Sequence, residues 1–167
     1  MDTHTEIMNT TIQIPSLDIL KQNNIDSYIQ YFLKKNYESC CSQFGFILKN
    51  SLKLLKRSVG KCITIDNISK IEYKVTFQIN TLSPCKGDIY DCTIDSITKM
   101  GIVGYFQHKD LNQEEITLKN SPIIFIVPND FIKDIDYKSD KSSIKVEILE
   151  SRIKYKSLQI QVVAKEV

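Results

Sequence analysis

The sequence predicts a β-rich α+β protein in which an N-terminal helix lies on an antiparallel sheet and a five-stranded barrel follows. Three patterns carry this prediction. One apolar stripe marks an amphipathic helix, one strict alternation of apolar and polar residues marks a long strand, and short apolar runs between turn residues mark the second half. We place the boundary so that one domain covers residues 1–83 and the other covers residues 84–167.

The helix is predicted by apolar residues spaced three and four apart, which fall on one face: Ile25, Tyr28, Ile29, Phe32 and Leu33. Asn23 or Asn24 can cap its start, and Asp26 lies where the helix dipole favours an anion. Residues 1–10 are predicted to be mobile, and a short edge strand is predicted just before the helix, at residues 11–14.

The long strand is predicted by apolar residues at every second position: Ile71, Tyr73, Val75, Phe77 and Ile79. Polar residues occupy the positions between them, so one face is predicted to be buried and the other solvated. Further strands are expected within residues 38–57 and at residues 61–66. The first half is therefore predicted to be a helix laid across an antiparallel sheet.

The second half carries five short apolar runs, at residues 88–97, 102–107, 122–128, 144–148 and 158–164. Polar loops are predicted at residues 108–120 and 129–143. Five short strands with the longest interruption after the third are typical of an OB barrel. Gly101 lies in the turn of the first hairpin, where it permits a positive φ or a bulge as the strand bends.

Composition excludes several classes of protein. The net charge is +2, so nucleic-acid binding would require a local patch of cations. No apolar run approaches the length of a membrane span, and Met1–Met8 does not resemble a signal peptide. The five cysteines are odd in number and form no C-x-x-C pair. We therefore expect them to be reduced and mostly buried in an intracellular protein.

No catalytic, cofactor or metal site is predicted. The five glycines are scattered, so no glycine-rich phosphate loop is present. Only His4 and His108 could join the cysteines around a zinc ion, and neither has a cysteine or serine partner at a catalytic spacing. The chain is therefore expected to be non-catalytic, with no cofactor and no bound metal.

RNA binding is the chemistry that the barrel could support, because OB barrels bind single strands over strands two and three and the adjoining loops. Cations contact phosphates and flat side chains stack on bases. The candidates are Lys99, Met100, Tyr105, Phe125, Arg152, Lys154 and Lys156. Phe125 could instead be a core residue, because Ile124 and Ile126 compete with it for the interior. The basic residues of the last hairpin could instead be an ordinary solvated surface.

Three segments resemble one known family. The residues P-C-K-G-D-I (84–89), followed by K-M-G (99–101), resemble the opening hairpin of the S1-type OB barrel in the Rpb-seven (archaeal E-prime) family of RNA polymerase stalk subunits. The residues E-S-C-C-S-Q-F-G-F-I (38–47) are similar to the segment that follows the helix of that family's tip domain. Residues 149–163 resemble its final hairpin. Val103 stands where S1 barrels often carry an aromatic residue.

The resemblance implies that residues 1–83 form a tip domain that docks on the polymerase core and that residues 84–167 form an S1-type OB barrel that contacts nascent single-stranded RNA. It implies core docking at Phe44, Gly45 and Phe46. It places the domain junction at Pro84, Lys86 and Gly87. The implied partners are the polymerase core subunits and a small helical subunit of the Rpb-four type.

The abundance of Lys, Ile, Asn and Ser is typical of an A/T-rich genome, which together with the compact tip suggests a large DNA virus. A viral subunit would act in the virion and the host cytoplasm, and a cellular one in the nucleus. Two alternatives stay open. One is a stand-alone S1/OB RNA-binding protein in translation or RNA decay, and the other is an enzyme with an OB appendage.

Overall fold

A computed structural model describes residues 3–107, 115–133 and 142–167 of the chain. Parts of the two predicted barrel loops, residues 108–114 and 134–141, lie outside the described residues. The described elements are, in chain order, β1 Thr3–Pro15, α1 Ser16–Leu20, α2 Ile25–Tyr37, β2 Cys41–Ser42, β3 Gly45–Ile47, β4 Lys53–Arg57, β5 Lys61–Ile65, β6 Ile68–Leu82, β7 Ile89–Thr98, β8 Gly101–Phe106, β9 Ile123–Pro128, a 3₁₀ turn Asn129–Phe131, β10 Ser143–Arg152 and β11 Ile160–Glu166.

The described residues form two compact units. The barrel unit falls within Met1–Thr3, Ser39–Phe46 and Leu82–Val167, and the sheet unit comprises His4–Glu38 and Ile47–Thr81. The sequence placed all of residues 1–83 in the first domain, whereas this division groups Ser39–Phe46 with the barrel.

In the sheet unit the long strand β6 pairs with β1, β4 and β5. The predicted alternation holds along β6, whose apolar residues from Tyr73 to Ile79 are buried. These side chains belong to one hydrophobic cluster with Ile29 and Leu33 of α2. Burial of the apolar stripe of α2 is the main force that stabilises a short helix of this kind.

The helix α2 begins where the sequence predicts it. The side chain of Asn24 accepts a hydrogen bond from the backbone N–H of Ser27 at 3.1 Å, which caps the helix. Asp26 lies in the first turn and also pairs with the guanidinium of Arg57 on β4. Glu38, just after the helix, accepts hydrogen bonds from two backbone N–H groups of the chain that leads into β4.

The prediction that residues 1–10 are mobile is wrong, because β1 begins at Thr3. Side-chain hydrogen bonds join this part of β1 to β6. Thr76 Oγ1 donates to Asn9 Oδ1 at 2.6 Å, and Thr5 Oγ1 donates to Asn80 Oδ1 at 3.1 Å. Polar cross-strand pairs of this kind stabilise a strand whose own sequence carries little apolar signal.

The barrel unit contains a closed barrel of five strands in the order β10-β11-β9-β8-β7, with β10 pairing back on β7. Neighbouring strands are antiparallel except β9 and β11, which are parallel. This is an OB-like barrel, and the five strands confirm the prediction for the second half. Its interior is filled by Tyr90, Cys92, Ile102, Phe106, Ile123, Phe125, Val127, Ile144, Val146, Ile148, Ile160, Val162 and Ala164.

Two glycines let β8 pack tightly in the barrel. Gly101 has a φ of +145°, and a Cβ at this position would overlap the carbonyl oxygen of Val127. A Cβ on Gly104 would overlap the sulfur of Cys92 and lie 2.5 Å from the carbonyl oxygen of Thr93. The first hairpin of the barrel therefore requires glycine at its turn, as the Lys-Met-Gly sequence predicts.

Candidate nucleic-acid interface

The outer face of the barrel is formed by side chains of β8, β9 and β11 that point away from the interior. Alternate residues of a barrel strand face outward. On β8 and β9 the register places Val103 opposite Ile126 and Tyr105 opposite Ile124. We call the following set the outer face: Val103, Tyr105, Ile124, Ile126, Gln161 and Val163.

One row of the outer face combines an aromatic ring with an amide. Tyr105, Ile124 and Gln161 lie side by side on three neighbouring strands. Tyr105 is half-buried and Gln161 is exposed. The outer face is therefore mainly apolar, with hydrogen-bonding groups in this row.

The turn between β7 and β8 lies at one end of this face and is held by hydrogen bonds. Thr98 Oγ1 accepts from the backbone N–H of Met100 at 3.2 Å and donates to the carbonyl of Gly101 at 3.1 Å. Asn129 donates from its side chain to the carbonyl of Lys99 at 2.6 Å and from its backbone N–H to Met100 at 3.2 Å. Lys99 is exposed and Met100 is 84% exposed, so both side chains are accessible.

The last residue of β10 and the loop between β10 and β11 carry the three cations of the last hairpin. Arg152, Lys154 and Lys156 are all exposed, and no ion pair between described residues engages them. The loop backbone is fixed from within by a turn, in which Ser157 N–H donates to the carbonyl of Lys154 at 2.9 Å. It is also tied to β2, because Cys41 exchanges hydrogen bonds with Lys156 and Ser157 at 2.8 and 2.7 Å.

The end of this loop is anchored to the chain that precedes β9. The side-chain amide of Gln159 donates to the carbonyls of Leu118 at 2.6 Å and Ser121 at 3.1 Å. Tyr155, at the centre of the loop, is 62% exposed. Sequence reasoning missed Tyr155, although an aromatic residue between two lysines in a predicted hairpin loop was a visible signal for nucleic-acid contact.

The turn and the loop lie at opposite ends of β9. Gly101, which closes the turn, pairs with Pro128 at the last residue of β9, whereas Ile160, which follows the loop, pairs with Ile123 at the first. Five steps of about 3.3 Å separate these ends by roughly 17 Å. The cationic segments therefore bracket the outer face, which runs between them.

Phe125 does not belong to this surface. It has the same parity on β9 as Ile123 and Val127 and is 0% exposed, with its ring centroid 5.9 Å from that of Tyr90. The prediction that its ring stacks on RNA is corrected, because a base cannot reach a ring inside the barrel. The sequence of β9 is apolar at both parities, and the structure shows that the half-buried Ile124 and the exposed Ile126 take the outward positions.

The residues predicted at the domain junction have structural roles. Pro84 is buried and Lys86 is exposed. Gly87 has a φ of +92° and donates its N–H to the carbonyl of Ile148 on β10 at 2.8 Å. This segment therefore enters the barrel through a turn that favours glycine.

The residues predicted to dock on the polymerase core offer little surface. Gly45 and Phe46 are buried, and Phe44 is half-buried. Gly45 has a φ of +121°, and a Cβ there would lie 2.6 Å from the carbonyl oxygen of Leu82. Close packing of the backbone therefore explains the glycine at position 45, and of these three residues Phe44 keeps part of its side chain accessible.

Burial raises the thiol pKa of three of the five cysteines. All five are free thiols, and the expectation that most are buried holds for Cys41 and Cys92 but not for the exposed Cys62 and Cys85. Burial raises the pKa of Cys41 to about 11 and that of Cys92 to about 12. Burial also raises the pKa of Cys40, and the nearby charge of Lys156 opposes that shift. Thiols with raised pKa values are weak nucleophiles.

Within the part of the chain that the structure describes, no three His, Cys, Asp or Glu residues gather where they could hold a metal ion. His108, which the sequence offered as a zinc ligand, lies outside that part. No helix among the described residues has the length and apolar character needed to cross a bilayer.

Together the fold and this surface define a β-rich protein with an OB-like barrel. The sequence matches no protein-family model, and it matches no curated protein.

Proposed function

We propose that this chain is a non-catalytic stalk subunit of a DNA-dependent RNA polymerase, similar to the Rpb-seven family, and that its barrel is of the S1 type and contacts nascent single-stranded RNA. The observation that supports RNA contact is the placement of two cationic segments at the ends of the outer face. Lys99 lies at one end, and Arg152, Lys154 and Lys156 lie at the other. OB folds bind oligonucleotides at this position.

The sheet unit is proposed to be the tip domain that docks on the polymerase core. Its buried helix residues share a hydrophobic cluster with the long strand β6, as expected for a helix packed on a sheet. It also exposes large apolar side chains, with Leu17 at 70% and Leu20 at 76% on α1. Exposed apolar residues of this kind are suited to burial against a partner. A small helical subunit of the Rpb-four type is proposed as a second partner.

Affinity purification tests the assignment to a polymerase. The tagged chain, expressed in its source cells, is expected to co-purify with the large catalytic subunits of an RNA polymerase, identified by mass spectrometry. Recovery of ribosomal proteins or exonucleases without polymerase subunits would contradict this assignment. It would instead favour the stand-alone RNA-binding protein, which needs only the barrel unit.

Salt-dependent RNA binding tests the proposed contact surface. Replacing Arg152, Lys154 and Lys156 by Ser is expected to weaken binding of any single-stranded RNA with little regard to sequence. Each lost phosphate contact lowers the magnitude of the log–log salt slope by about 0.7, so three contacts lower it by about 2. Filter binding of the purified chain across a salt series measures this slope.

A matched control removes the same charge from the other unit. Lys53, Lys56 and Lys74 are exposed residues of the sheet unit, and replacing them by Ser also removes three positive charges. This control variant is expected to keep the wild-type slope. Equal flattening in both variants would show that net charge alone governs binding, and an unchanged slope in both would remove the loop from the RNA contact.

A further inference from the structure

We propose that Tyr155 is the residue of the barrel unit that stacks on an unpaired RNA base, which is the role first predicted for Phe125. This inference rests on the proposed RNA contact and adds to it a named stacking residue. Single strands bind where cations track the backbone and aromatic rings meet the bases. The loop between β10 and β11 supplies both within three consecutive residues, since Lys154 and Lys156 flank Tyr155.

The ring of Tyr155 is accessible, unlike the other candidate rings of the barrel. Tyr155 is 62% exposed, Tyr105 is half-buried, and Phe125 is fully buried. A base can therefore cover Tyr155 without any movement of the barrel core. Stacking on a tyrosine ring also tolerates different bases, because every base has a π face.

The backbone beside this ring is held in place before RNA arrives. Lys156 has a φ of +62°, and its backbone N–H donates to Cys41 at 2.8 Å, so the residue next to Tyr155 is fixed on the neighbouring strand. Ser157 adds a second fixed point, because its hydroxyl donates to the carbonyl of Gln159 at 2.7 Å. A ring on a pre-ordered loop loses less conformational entropy when it binds.

The ammonium group of Lys156 and the ring of Tyr155 also lie close to each other within the loop. The ammonium nitrogen of Lys156 lies 5.7 Å from the centroid of the Tyr155 ring. This is within the range of a cation–π interaction. A nucleotide whose base stacks on this ring would bring its phosphate close to the same ammonium group. The pair therefore combines base stacking with phosphate neutralisation at one nucleotide.

Substitution of Tyr155 separates stacking from charge. Tyr155→Ala is expected to weaken binding of a uridine dodecamer about 5- to 150-fold, which is the range for one lost base–aromatic stack. The salt slope is expected to stay at the wild-type value, because no cation is removed. Tyr155→Phe is expected to retain the affinity, because the ring and not the hydroxyl makes the contact. Melting temperatures should be unchanged, because the side chain is exposed.

A fluorescent reporter detects the stack directly, because the chain contains no tryptophan. Tyr155→Trp introduces a single indole, whose emission is expected to be quenched when the uridine dodecamer stacks on it. Tyr31 is the matched control, because it is 61% exposed but lies on α2 in the sheet unit. The emission of Tyr31→Trp is expected not to respond to the same RNA.

Three outcomes would overturn the inference, and they can be told apart. If Tyr155→Ala binds like the wild type while the triple cation variant loses affinity, Tyr155 has no stacking role and the proposed RNA contact stands. If the wild-type chain binds no single-stranded RNA, the proposed RNA contact fails as well. If Tyr155→Ala keeps its RNA affinity but loses co-purifying polymerase subunits, the ring contacts a protein.

Discussion

Substitution of Phe125 tests whether its ring packs inside the barrel. The sequence left two roles open for this ring, stacking on RNA or packing in the core, and the structure places it in the core. Its side chain is fully buried, and its strand neighbours are Gly104 on β8 and Val162 on β11. Truncating a buried phenylalanine removes its apolar burial and leaves a cavity, which costs about 3–5 kcal/mol. Domains are stable by about 5–15 kcal/mol, so Phe125→Ala should fold but melt about 6–20 °C lower.

Thermal melts followed by circular dichroism measure this loss, and RNA affinity is measured on the same samples below the transition. Ile126→Ala is the matched control, because Ile126 is the next residue on β9 and is 41% exposed on the outer face. Its cost should be about 1 kcal/mol or less. A Phe125→Ala variant that melts with the wild type but loses RNA affinity would refute the placement of the ring inside the barrel.

Three further results are expected. Gly101→Val should cost more than about 2 kcal/mol, because a β-branched residue is strained at a φ of +145°; hydrogen exchange should show lost protection mainly in the barrel unit, and equal loss in both units would contradict this. Cys62 and Cys85 should react with a thiol reagent in the native chain while Cys41 and Cys92 react only after denaturation, and four equal rates would contradict the burial. Burial raises the pKa of Cys92 from 9.0 to about 12, so above pH 9 the unfolded state releases a proton that the folded state keeps. Stability should fall there by up to about 1.4 kcal/mol per pH unit, and a Cys92→Ala variant with an equally steep loss would contradict this cause.

Local apolar periodicity determines several elements of the fold, and these elements could therefore be predicted from the sequence. The stripe of α2 and the alternation of β6 each arise from one element that buries one face, and both are confirmed. The first ten residues were predicted wrongly because β1 depends on partners. Asn9 and Thr5 are polar, and their strand forms through hydrogen bonds to Thr76 and Asn80, more than sixty residues away.

The candidate interface was predictable in part. The strand order of an OB barrel brings Lys99 and Tyr105 to the surface where the sequence placed them. Phe125 faces the interior of the barrel because it shares the parity of Ile123 and Val127 on β9. A run of consecutive apolar residues does not show from the sequence which parity faces inward. The role proposed for Tyr155 depends on a loop conformation fixed by hydrogen bonds to Cys41, which is distant in sequence and has no local signal.

Photocross-linking identifies which part of the chain contacts RNA in the cell. The tagged chain is purified from cells supplied with 4-thiouridine and irradiated, and peptides joined to RNA are identified by mass spectrometry. RNA is expected on peptides from the turn between β7 and β8 and from the loop between β10 and β11, in preparations that also contain polymerase subunits. Cross-links confined to the sheet unit, or none in a preparation that contains polymerase, would contradict the assignment of RNA contact to the barrel.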